Sequence, residues 1–353
     1  MSDVTSSDPD VRLADLHDPD ECARLETFVD DFEGQVFHRP AWIKAVEIGC
    51  GQSALGLVCL NGQTITGWLP LSEIHSPIFG RALVSSGFAV GGGILAHEPS
   101  SVDRLCMAAQ ELAVRRNAQS IELRSEIASQ EWQAIEGKHA GFIAGLATHD
   151  EAQLLAIPRK ARAEVRKGLK NALQVTVGAE LADRAAHYEC YAESVHHLGT
   201  PVFPRSLFDA VLDAFGDDAD ILTVRHDGEP VASVLSLYHH GAVMPYWGGG
   251  KRVARDLRAN DVMYYELMCH ARRRGCTRFD FGRSKTGSGP YAYKKNWGFE
   301  PKPLVYRTWS PAGVKARNID PTDEGNSAKI ALWKKLPLPI ANALGPWIAR
   351  GLG

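Results

Sequence analysis

The sequence is duplicated, and the duplication restricts the fold to architectures made of two like units. Residues 57–73 read LVCLNGQTITGWLPLSE and residues 223–239 read TVRHDGEPVASVLSLYH. Each is an apolar run, an Asn-Gly or Asp-Gly pair, and a second run with apolar alternation. This predicts a β-hairpin in each half, because both pairs tolerate the positive φ of a tight turn. Three glycines follow, Gly91–Gly93 after FAV and Gly248–Gly250 after MPYW, and each run is expected to form a turn. Helix-compatible stretches come next, near 101–117 and 256–274. Each ends in basic residues and leads into a short strand, RRNAQSIELRS in the first half and RRRGCTRFDFGRS in the second. Ile121, Glu122 and Leu123 then fall on Phe279, Asp280 and Phe281. This order of elements predicts an α/β unit, present twice, at about 10–150 and 151–310.

The 353 residues, 44% hydrophobic and 23% charged, suffice for two cores. A net charge of −3 sets up no global field for nucleic acid or membrane. The seven cysteines include no CxxC pair and no zinc spacing, and their odd number fits a reducing compartment. The polar, acidic N-terminal residues do not read as a leader, and no apolar run reaches 18 residues, so a cytoplasmic protein is expected. Charge is uneven, however. Residues 251–307 hold 14 Lys/Arg against 5 Asp/Glu, and 159–170 read RKARAEVRKGLK, so an anionic ligand is expected to meet the second half. No metal site is expected. His239 and His240 are adjacent in a strand and should point to opposite faces, and His196–His197 offers no better set. Trp42, Trp68, Trp247, Trp297 and Trp309 are expected in or beside the cores.

The order of elements resembles the GNAT acetyltransferase fold. The stretch FDFGRSKTGSGPYAYKKNWGFEPKPLVYR at 279–307 resembles the carboxy-terminal signature of FemAB-type aminoacyl transferases. WIKAV at 42–46 and IPRKARAEVRKGLK at 157–170 resemble helices that open the two units of those proteins. LGTPVFPRSLF at 198–208 and WKKLPLPIANALGPWIARGLG at 333–353 resemble the FemAB-like proteins associated with exosortase/PEP-CTERM systems. The resemblance implies an α/β fold of two tandem GNAT-like units facing each other across a cleft. The implied activity is amide formation on an amine of a cell-envelope or exopolysaccharide-related precursor. The acyl donor is aminoacyl-tRNA or acyl-CoA, with no tightly bound cofactor. A coenzyme A-dependent N-acyltransferase and a non-catalytic assembly factor are the alternatives.

Attack of an amine on an ester carbonyl needs positioning and a positive donor for the oxyanion, but no covalent nucleophile. No GxSxG elbow is present. The resemblance places Lys294 beside the oxyanion and an aromatic at Tyr293, which either positions the acyl donor or packs. Asp280, at the end of the FDFG strand, can orient the amine or accept its proton, or it can pair with Arg283 or Arg278. Arg283 and Lys295 are candidate substrate contacts. Gly248, Gly249 and Gly250, followed by KRVARD, could present backbone N–H groups and cations to a phosphate. Arg162, Arg166 and Lys170 share a helical face by i, i+4 spacing and could track tRNA phosphates. The diphosphate-gripping cations of the resembled family are replaced here by Val46 and Phe203, with Lys44 and Arg205 as the neighbouring substitutes. Residues 311–328 read as a linker. The apolar tail at 336–353 is too short to span a bilayer. It can pack on the protein body or lie on the inner face of the membrane as a peripheral contact.

Overall fold

A computed structural model describes residues 10–317 and 327–353. Half of the expected linker, 318–326, lies outside the described residues, as do residues 1–9. In chain order the strands up to residue 145 are β1 (Asp10–Leu13), β2 (Ser53–Asn61), β3 (Thr64–Ser76), β4 (Gly80–Ser85), β5 (Leu95–Ala96), β6 (Ser120–Leu123) and β7 (Gln133–Gly145). Among them lie helices α1 (Pro19–Asp31), α2 (Pro40–Cys50) and α3 (Pro99–Arg115). The later strands are β8 (Leu173–Gly178), β9 (Ala219–His226), β10 (Glu229–His239), β11 (Ala242–Gly250), β12 (Arg278–Lys285) and β13 (Pro301–Trp309). The later helices are α4 (Asp150–Ala156), α5 (Arg159–Gly168), α6 (Leu181–Leu198), α7 (Arg205–Phe215), α8 (Ala254–Leu257), α9 (Ala259–Arg273), α10 (Gly289–Asn296), α11 (Ser327–Trp333) and α12 (Leu338–Ala349).

Two compact units result, and they do not follow the contiguous halves of the chain. Unit 1 holds the residues up to 136 together with 304–317 and 350–353, and unit 2 holds 137–303 and the described residues up to 349. Within unit 1 the strand order is β1-β2-β3-β4-β6-β13, antiparallel at every step except the parallel β4/β6 pair. Within unit 2 the order is β8-β9-β10-β11-β12-β7, again antiparallel except for the parallel β11/β12 pair. The two topologies are the same, so the GNAT-like α/β unit is present twice, in tandem. The sixth strand of each is supplied by the other half of the sequence.

The local reasons are readable. The β9–β10 turn has Asp227 at φ 51 and Gly228 at φ 83, the two positive values that a type I′ hairpin requires. In unit 2, Ala259, Met263, Leu267 and Ala271 repeat at four-residue spacing and bury one face of α9 against Leu222, Val224 and Val234 of the sheet. In unit 1, Leu105, Ala109 and Leu112 of α3 play this part against Leu57, Leu69 and Leu83. Trp42 and Trp68 are fully buried, and Trp247 and Trp297 nearly so.

Two expectations fail. Gly91–Gly93 lie in irregular chain, but Gly248–Gly250 form the end of β11, laddered to Val234, Ser233 and Ala232. They are glycines because neighbours press on the strand. A Cβ on Gly249 would lie 2.4 Å from the Ser194 side chain of α6, and one on Gly250 would lie 2.5 Å from Asn260. The argument separating His239 from His240 also fails. His240 leaves the strand at φ 44, and the two rings approach to 3.9 Å between centroids.

Candidate functional site

Strands β11 and β12 are hydrogen-bonded neighbours only at Ala242 with Arg278 and Val243 with Phe279. Beyond these pairs β11 continues to Gly250 along β10, and β12 continues to Lys285 along β7. Among the described residues the two strands are paired at these positions and then follow different neighbours, so the facing edges diverge. Such an opening can take an extended, amide-bearing ligand through main-chain hydrogen bonds.

Asp280 sits where the strands part. The register of β12 on β7 shifts between Asp280, opposite Ile143, and Arg283, opposite Gly141. Phe281 and Gly282 thus oppose Phe142 alone, a β-bulge, and Gly282 takes the left-handed φ of 67 that it needs. The bulge folds the Gly282 N–H back onto the Asp280 carboxylate at 2.9 Å. It also directs the Arg283 carbonyl to the Lys294 ammonium, which donates to it at 3.0 Å. Lys294 reaches this point from α10, whose start is capped by the Ser288 hydroxyl accepting from the Tyr291 N–H.

Lys294 is half-buried, its ammonium 5.3 Å from the centroid of Phe281 and 5.4 Å from that of Phe142. Burial pushes its pKa down to about 8, against the pull of Asp280. Burial likewise raises the Asp280 pKa, opposed by the Gly282 N–H and the Lys294 charge. Each charge is hydrogen-bonded to the main chain, yet burial remains the largest influence on both.

Tyr293 points elsewhere. Its hydroxyl donates to Asp261 at 2.9 Å, and burial and then the Asp261 charge raise its pKa. It lines a cleft of about 590 Å³ with Glu164, Arg255, Arg258, Asn260 and Asp261. A second cleft of about 470 Å³ is lined by Gly250, Lys251, Arg252, Arg255, Asn260 and Ser194 among others. Arg255 and Asn260 line both, and the Asn260 Oδ1 is buried with no hydrogen-bond partner among the described residues. Of the glycine run only Gly250 reaches these clefts.

The remaining candidates are dispersed. Lys295 is exposed, 6.0 Å from the Tyr291 ring centroid. Arg162 donates to the Leu155 carbonyl at 2.9 Å and Arg166 is exposed. Lys170 lies past the end of α5, so the expected three-residue stripe is a pair. The α5 residue that enters the cleft is the acid Glu164, which binds Arg258 at 2.5 Å. Arg205 is exposed and faces Asp209 at 3.7 Å. Lys44, in unit 1, lies 3.9 Å from the Cys22 sulfur. Sequence reasoning missed Asp261, Glu164 and Asn260, which are single polar residues on amphipathic helices. It named Arg252 and Arg255 only as part of KRVARD.

Unit 1 offers the matching position in altered form. Glu122 lies opposite Thr308 of β13 as Asp280 lies opposite Ile143 of β7. Glu122 accepts both arms of Arg317, at 2.6 and 3.2 Å, and the Arg317 side chain is wholly enclosed. Arg317 also donates to the backbone oxygens of Gly351 and Leu352, Arg124 to that of Gly353, and Gln52 to that of Arg350. Residues 350–353 thus occupy the counterpart region of unit 1.

The fold, the diverging parallel strands and the lysine beside them define an acetyltransferase-type α/β architecture in tandem. Residues 159–295, from α5 to α10 and including Lys294, match the family described as acetyltransferase (GNAT) domain. Among solved structures the chain is similar to FemX, at 15% identity and a TM-score of 0.63 over 80% of this chain and 95% of that one. It is similar to the C-terminal domain of a putative lysylphosphatidylglycerol synthetase from Agrobacterium fabrum, at 14% identity and a TM-score of 0.55, covering 83% and 93%. It is also similar to a tandem GNAT protein from the clavulanic acid biosynthesis pathway, at 12% identity and a TM-score of 0.55, covering 85% and 98%. At these identities the likeness is one of fold. No curated protein matches the sequence.

Proposed function

We propose that the chain is an N-acyl or aminoacyl transferase with its reaction centre at Lys294 and Asp280 of unit 2. The observation that carries this reading is the half-buried Lys294 ammonium, held by the Arg283 carbonyl at 3.0 Å and within reach of the Asp280 charge, at the point where β11 and β12 part. An acceptor amine attacks the donor carbonyl, and the new oxyanion takes a hydrogen bond from the ammonium. Asp280, whose affinity for a proton is raised by burial, takes the proton lost by the amine. The intermediate then collapses to the amide and expels the alkoxide or thiolate of the donor, which leaves as the alcohol or thiol.

Two donors fit. The FemAB-type resemblance of residues 279–307 favours an aminoacyl ester of tRNA, with an envelope or exopolysaccharide-related amine as acceptor. The resemblance of residues 198–208 and 333–353 supports placing that acceptor in an exosortase-associated system. The second cleft favours an acyl-coenzyme A thioester, because Lys251, Arg252 and Arg255 line it together and could meet the anionic part of such a donor. The family match and the tandem GNAT likeness support that second donor.

Calorimetric titration of the purified chain with acetyl-coenzyme A, charged tRNA and uncharged tRNA tests the reading. Binding of charged tRNA, weakened at Arg162→Ala/Arg166→Ala, selects the aminoacyl donor. Binding of acetyl-coenzyme A, weakened at Arg255→Ala, selects the thioester. If neither binds and Lys294→Ala leaves the cellular phenotype intact, the chain acts as a non-catalytic assembly factor and the proposal fails.

A further inference from the structure

Helix α12 is amphipathic in an inverted sense. Its inward residues are small. Ala341, Gly345 and Ala349 recur at four-residue spacing and are buried, the helix lies against α6, and a Cβ on Gly345 would come 2.9 Å from the Val202 backbone. Its outward residues are large and apolar. Ile340 is 47% exposed, Leu344 47% and Trp347 50%, at i, i+4 and i+7 on one face. Leu332 of α11 is 66% exposed. A water-soluble surface rarely sets a tryptophan, an isoleucine and a leucine in register on one helix without a use for them.

Charge indicates the occupant. From residue 327 to residue 353 the sequence has Lys329, Lys334, Lys335 and Arg350 and no Asp or Glu. Lys334, Lys335 and Arg350 are exposed. In a chain of net charge −3 this is a local concentration of positive charge bordering an apolar face. The 12-residue helix is far shorter than a span, and no helix among the described residues is long and apolar enough to cross a membrane. Tryptophan favours the boundary between headgroups and acyl chains, where its ring is buried and its N–H stays wet. We propose that the Ile340–Leu344–Trp347 face of α12, preceded in the chain by Lys334 and Lys335, is a docking surface for an anionic lipid bilayer, lying flat in its interface.

The proposal does not depend on the transfer reaction and is tested without it. The full chain is floated with vesicles of phosphatidylcholine, with and without phosphatidylglycerol. It is expected to partition onto the phosphatidylglycerol vesicles, and less so as salt is raised. Lys334→Glu/Lys335→Glu is expected to weaken that partition by at least about fivefold for each lysine lost. Leu344→Ser/Trp347→Ser is expected to abolish it while the protein stays folded with only a modest fall in melting temperature, since about half of each side chain is exposed. Quenching of wild-type fluorescence by brominated lipid, lost in Trp347→Phe, gives the same answer without a disruptive substitution. Equal flotation with both vesicle types, or flotation unchanged in the serine variant, overturns the proposal. A wild-type dimer in sedimentation that Leu344→Ser/Trp347→Ser converts to a monomer also overturns it, because the face then covers a second copy of the chain.

Discussion

At the scale of the residue, the proposed reaction turns on Lys294. An oxyanion donor must be charged, so acyl transfer is expected to fall as pH rises through about 8, where Lys294 loses its proton. In Lys294→Arg that descending limb should vanish, since guanidinium keeps its charge. A profile that instead rises through this value and depends on Lys294 would make the lysine a base. Lys294→Ala is expected to lower kcat by about 10²–10³-fold, the usual loss for one oxyanion donor, with donor binding retained in calorimetry. Stability should move the opposite way. Burial holds Lys294 below its ordinary 10.5, so between about 8 and 10.5 the unfolded chain keeps a proton that the folded chain has released. Stability therefore rises with pH across that window. Lys294→Met is expected to melt above the wild type near neutral pH, with the gap closing as pH approaches 10.5. A gap that stays constant with pH would show that Lys294 carries no buried charge.

At the scale of the element, Gly249 shows how the site strand is fitted to its neighbours. A Cβ there meets the Ser194 side chain at 2.4 and 2.6 Å. Gly249→Ala is expected to cost about 1–3 kcal/mol of stability in denaturant unfolding, and Ser194→Gly should recover part of it. Full stability in the single variant would mean that α6 can move away. The same strand marks the limit of sequence reading. The hairpins were legible because Asn61-Gly62 and Asp227-Gly228 act within four residues. A glycine run has two meanings, a turn or a close approach, and the choice depends on Cys190, Ser194 and Asn260, which are distant in sequence. The bulge at Gly282 was hidden for a similar reason, since it exists only against Phe142. The pairing of Lys294 with the FDFG strand end was legible through resemblance, whereas Glu164 and Asp261 carried no pattern of their own. Both register and exchange of β7 and β13 between the units depend on pairings that local spacing does not encode.

At the scale of the whole molecule, the two units keep one topology and differ in what surrounds the matching acid. Unit 2 leaves Asp280 partly desolvated, with one N–H contact, beside an ammonium at the mouth of two diverging strands. Unit 1 has the corresponding Glu122 locked in a bidentate pair with an enclosed Arg317, and residues 350–353 are held beside it by Arg317, Arg124 and Gln52. A carboxylate so neutralised is a structural group, whereas its counterpart in unit 2 is the base of the proposed reaction. Opposite consequences are therefore expected from like substitutions. Glu122→Gln should lower stability by about 2 kcal/mol, less than for a fully enclosed pair because Glu122 is 24% exposed, and should leave kcat unchanged. Asp280→Asn should leave the melting temperature near that of the wild type and lower kcat by about 10²-fold or more. Unfolding curves and single-turnover rates on the two variants check both halves of the contrast. Loss of rate in Glu122→Gln at temperatures well below its melting point would mean that the first unit still takes part in the reaction, and that duplication has preserved a working site where the fold shows a closed one.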